Sequence, residues 1–107
     1  MAWVIIVIAG LFEVAMAYSL KMSHGFSVPL PSIGFVVFAV LSFGLLAMGL
    51  KSLEVGTAYA VWTGIGAVGT ASLGMLFLGD DVSFLKIASI ALILAGVVGL
   101  NLAGGGH

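Results

Sequence analysis

Apolar residues run almost unbroken along this chain, and the charged ones fall between the runs: Lys21, then Lys51 and Glu54, then Asp80, Asp81 and Lys86. The pattern predicts four helical spans, at about 2–20, 31–50, 57–78 and 84–103, each near the length that crosses a hydrocarbon layer. A polar loop from Lys21 to Gly25 is expected to end the first. Pro29-Leu30-Pro31 opens the second, because proline is tolerated in a first helical turn and disfavours helix just before it. Gly56 and Gly79 bound the third, Asp81 or Ser83 is the expected N-cap of the fourth, and Gly104 to His107 form a fraying tail. One charge breaks the pattern. Glu13 stands in the middle of the first apolar run, where an ionised acid costs about 2.5–3.5 kcal/mol, and such a group marks a pathway or a binding site.

Composition strengthens the membrane reading: 63% of residues are apolar and 7% charged. At 107 residues there is room for four crossings and short connectors, so an all-α membrane protein with one transmembrane domain over residues 1–107 is expected. Ala15-Met16-Ala17 imitates a signal-peptide cleavage site, but the segment lacks an early Lys or Arg and carries Glu13, so the first helix is expected to stay. Without cysteine there is no disulfide or thiol chemistry. Three lysines, no arginine and a net charge of −1 exclude a nucleic-acid footprint. His24 and His107 lack the partners a metal site needs, and no span holds a nucleophile, base and acid set, so neither metal, cofactor nor catalysis is expected.

Helical spacing places Ile6, Gly10, Glu13, Met16 and Ala17 on one face of the first span. Gly10 leaves space there for a ligand or for a neighbouring helix. In the third span, Tyr59, Trp62 and Gly66 share a face; beside a carboxylate the two rings suit an organic cation, and otherwise they pack against lipid or protein. Gly64, Gly66 and Gly69 permit either a bend or close packing. Ser42 is a hydroxyl that can reach Glu13 or bond back to its own helix. In the fourth span Ser89, Leu92, Ile93, Gly96 and Val97 form a small-residue stripe, assigned to dimerisation. Trp3 and Tyr18 suit interfacial anchoring. Loop lysines are nearly balanced, with Lys51 and the amino terminus on one side and Lys21 and Lys86 on the other, so insertion in both orientations and an antiparallel dimer are open. Four such helices enclose no large cavity, which puts a chamber lined by Glu13 between two subunits.

Several of these residues together resemble the small multidrug resistance family of four-helix bacterial inner-membrane transporters. The similarity rests on Ala9-Gly10-Leu11-Phe12-Glu13-Val14, on Lys21 and His24-Gly25-Phe26, and above all on the run from Val55 through Tyr59 and Trp62 to Gly66. Leu92-Ile93-x-x-Gly96-Val97 resembles that family's dimer contact, with Ser89 where some members have glycine. The resemblance implies an antiparallel dimer in which Glu13 binds proton and substrate cation in turn, surrounded by Gly10, Ser42, Tyr59 and Trp62. The long run is most similar to the guanidinium-exporting subtype. That subtype usually has Trp where this chain has Met16 and Lys where it has Asn101, which makes Met16 a selectivity position between guanidinium-type and quaternary ammonium cations.

The expected activity is proton-coupled antiport of a small organic cation by alternating access in the bacterial inner membrane, with the lipid bilayer and a second copy of the chain as partners. A heterodimer with a related chain is an alternative. So is a non-transporting assembly factor, with Glu13 a structural acid bonded across helices.

Overall fold

The computed structural model describes residues 1–103; the glycine tail and His107 lie outside the described residues. Among those residues every regular element is helical: α1 (Ala2–Met22), α2 (Pro29–Gly49), α3 (Val55–Phe77) and α4 (Phe84–Leu102). All four are long and apolar enough to cross a membrane.

The termini refine the expected limits. α1 continues two residues past Leu20, so Lys21 lies in its last turn, where a cation complements the negative end of the helix dipole. Ser23, expected in an open polar loop, is fully buried. Its hydroxyl donates to the Leu20 carbonyl at 2.7 Å and accepts from the Phe26 amide at 3.1 Å. That clasp holds three successive left-handed residues, His24, Gly25 and Phe26, with φ of 46°, 72° and 67°. α2 starts at Pro29 rather than Pro31, because Val28 is extended, as a residue before proline prefers, and the ring fits the first turn. α3 starts at Val55 and takes Gly56 inside. Ser83, not Asp81, caps α4, its Oγ accepting the Lys86 amide at 3.2 Å.

Side chains small enough for close approach decide the packing. α1 and α2 lie antiparallel with the broadest contact, and a methyl added at Gly49 would collide with Ile6. α1 and α3 run alongside each other, and at Gly10 an added methyl would sit 2.7 Å from Ile65 Cγ2. Among the described residues, α4 packs on α3 alone, through Val97 against Gly64, and contributes no buried residue. The core is therefore a short cluster at one end of α1 and α3, centred on Ile6, Ala9, Val61 and Trp62. Trp3 leans half-buried on this cluster, and Tyr18 is exposed. The bundle measures 43 × 34 × 17 Å, too thin in its shortest dimension to enclose a chamber.

Candidate functional site

Glu13 lies near the midpoint of α1, one turn after Gly10, and its carboxylate rests on Gly66 of α3, where an added methyl would overlap it. Gly66 is thus the pad that lets the acid lie against a neighbouring helix. Glu13 Oε1 is buried and has no hydrogen-bond partner among the described residues. A buried carboxylate oxygen without a partner is costly, since its lost hydration is not replaced; a proton or a cation would supply what is missing.

One turn before the acid, at Ala9, lies a locked junction. The Trp62 indole N–H donates to Ser42 Oγ at 2.9 Å, and Ser42 in turn donates to the Ala9 carbonyl at 2.7 Å. Neither alternative expected for Ser42, a bond to Glu13 or back-bonding in α2, occurs. Its hydroxyl reaches across to α1 because Ala9, a small residue, bares its carbonyl at the three-helix contact. In a regular helix that same carbonyl accepts the amide of Glu13, four residues on. The junction thereby fixes the turn of α1 that carries the acid.

The indole also organises an aromatic group. Its ring centroid lies 5.2 Å from Phe43 and 5.5 Å from Tyr59, with planes tilted by 52° and 50°. Trp62 is buried, and Tyr59 is 55% exposed on the surface of the single chain. Faces of such rings attract cations. Phe12 and Phe38 stack at 6.0 Å between α1 and α2.

Gly10, Glu13, Ser42, Trp62 and Gly66 are thus brought together, and Tyr59 adjoins them through the indole. Met16 follows Glu13 by one turn and is half-buried. Gly64 and Gly66 do not interrupt α3; Gly64 takes Val97 and Ile93, and Gly69 takes Val14. The α4 stripe divides: Val97 and Ile93 turn to α3 within the chain, while Leu92 is 74% exposed and Gly96 has no neighbour within 4 Å of an added methyl. Ser89 Oγ bonds back to the Leu85 carbonyl at 2.8 Å. Sequence reasoning missed the Ala9 carbonyl and Phe43. Phe43 follows Ser42 directly, a signal that was available; a backbone acceptor leaves none.

A thin four-helix bundle with one acid inside its apolar spans defines a small multi-pass membrane protein built around an embedded ionisable group. The chain belongs to the small multidrug resistance family, whose profile, described as Small Multidrug Resistance protein, matches residues 1–93. It is 60% identical over 103 residues to the guanidinium exporter of Yersinia pseudotuberculosis, covering 96% of this chain and 99% of that one. It is 53% identical to the guanidinium exporter of Escherichia coli, covering 96% and 98%, and 52% identical to that of Salmonella typhimurium over the same shares. With four membrane-spanning helices and these bacterial relatives, it is a multi-pass protein of the bacterial inner membrane.

Proposed function

We propose that this chain exports a small organic cation of the guanidinium type in exchange for protons, with Glu13 holding either the proton or the cation. The observation that carries this is the partnerless buried oxygen of Glu13, set on Gly66 one helical turn along α3 from Trp62. A guanidinium ion is planar, and its forked N–H donors match a carboxylate two at a time. Its faces suit the aromatic surface of Trp62 and Tyr59. Relatives named guanidinium exporters support the substrate class. Nothing in the mechanism calls for a covalent step, which fits a transporter and not an enzyme.

Occupancy by one partner excludes the other. A proton entering from the acidic side releases the cation, and a cation entering from the cytoplasm releases the proton. One protomer is too thin to surround the ion, so the chamber forms between two copies, inserted antiparallel, with Gly10, Ser42, Tyr59 and Trp62 of each around the acids. Leu92, Gly96 and the outer side of the α4 stripe supply the contact between copies, and Gly64 and Gly66 serve as the pivot for alternating access. Met16, flexible where the guanidinium-exporting subtype usually carries an indole, widens the range toward quaternary ammonium ions.

The test is transport by the purified chain, reconstituted alone in liposomes under an imposed pH gradient, with guanidinium, substituted guanidines and quaternary ammonium ions. Exchange of guanidinium for protons is expected. No exchange of any of these cations overturns the proposal and leaves the assembly-factor reading; exchange restored only by a related second chain establishes an obligate heterodimer.

A further inference from the structure

A second polar site lies where α3 turns into α4. A groove of about 410 Å³ opens there, its walls apolar through Ala71, Met75, Leu85 and Ile90 and its lip formed by Asp80 and Lys86. Asp80 is held in place: its amide donates to the Gly74 carbonyl at 3.0 Å, and its carboxylate lies on Gly74, where an added methyl would overlap it. α3 has no basic residue in its last turn, so the negative end of its dipole and the Asp80 carboxylate give this side of the groove one sign. The other side carries Lys86, the cation of the lining, with Asp81 outside the lining. The N-terminal end of α4 carries Lys86, whose Nζ donates to the Asp81 carbonyl at 2.8 Å and so stays at that end.

A negative and a positive edge above an apolar slot suit neither a simple anion nor a simple cation. They suit a zwitterion with a hydrocarbon tail. The groove sits at the ends of two membrane-spanning helices, the level of the lipid headgroups. We propose that it binds an aminophospholipid of the phosphatidylethanolamine type, with the ammonium on the Asp80 side, the phosphate on the Lys86 side, and an acyl chain along Met75 and Ile90. The primary ammonium is the selective element, because it donates three hydrogen bonds to a carboxylate where a choline headgroup donates none.

The experiment is native mass spectrometry of the full chain, extracted in mild detergent from vesicles holding equal phosphatidylethanolamine, phosphatidylcholine and phosphatidylglycerol with identical acyl chains. Wild type is expected to retain phosphatidylethanolamine about fivefold over phosphatidylcholine, the scale of one interfacial charge contact. Asp80→Asn should erase that preference and Lys86→Gln should lower retention of all three lipids, each with helix content unchanged. Glu54→Gln, at an exposed acid on the opposite end of the bundle, should leave the preference intact. Equal retention by wild type, a preference for phosphatidylglycerol, or a preference that survives Asp80→Asn overturns the proposal. Efficient cross-linking between copies through a cysteine at Leu85 would overturn it too, since a second copy would then fill the groove.

Discussion

Replacing Ser42 by Ala removes two hydrogen bonds at once, to the Ala9 carbonyl and from the Trp62 indole. A neutral bond of this kind contributes about 1 kcal/mol, and about 0.6 on average between membrane helices. The Trp62 N–H is left buried without a partner, which adds about 1–3 kcal/mol. Ser42→Ala should therefore destabilise by about 2–5 kcal/mol. Trp62→Phe loses one bond and part of the ring packing on Phe43 and Tyr59, but it strands no donor. In the double variant the shared bond is lost only once and the stranded N–H no longer exists, so its cost should fall short of the sum of the singles by about 2–4 kcal/mol. Reversible unfolding in mixed micelles of rising sodium dodecyl sulfate fraction, followed by far-ultraviolet circular dichroism, measures all four corners of the cycle. Additivity within about 0.3–0.5 kcal/mol would refute the junction, since it would mean that Ser42 and Trp62 do not share a bond.

Gly10→Ala should destabilise by about 1–3 kcal/mol in the same assay, because its methyl meets Ile65 at 2.7–2.8 Å, whereas Gly44→Ala, with nothing within 4 Å, should stabilise α2 by about 0.5–1 kcal/mol. Equal effects would contradict the α1–α3 packing. Met16→Trp should narrow the substrate range, lowering the ratio of quaternary ammonium to guanidinium transport; an unmoved ratio places Met16 outside the chamber. Gly96→Ala should stabilise α4 by about 0.5–1 kcal/mol, as Gly44→Ala does α2, and reduce cross-linking between copies, since among the described residues nothing lies within 4 Å of the added methyl. Undiminished cross-linking would remove Gly96 from the dimer contact.

The spans were legible because hydropathy is a one-dimensional property, and so was Glu13, a lone acid in an apolar run. Helix ends moved by about two residues where local chemistry favoured extension: Lys21 gains from the end of α1, and Pro29 fits a first turn as well as Pro31 does. The site was legible by residue but not by bonding. Ser42 had two plausible acceptors in sequence and took a third, a backbone carbonyl that Ala9 does not advertise. Gly66 looked like a place to bend, but its use as the surface beneath Glu13 depends on how α1 lies along α3. The buried Ser23 was hidden for a similar reason: a short polar segment reads as solvated until its hydroxyl is seen closing a left-handed turn.

The central claim is that proton and cation compete for Glu13, and proton release on binding tests it most directly. Guanidinium is added to the purified chain in weakly buffered detergent while the external pH is followed. Wild type should release protons in proportion to guanidinium bound, and Glu13→Gln, with unchanged helix content, should release none. Guanidinium binding without proton release in wild type, or equal release from Glu13→Gln, would contradict the account.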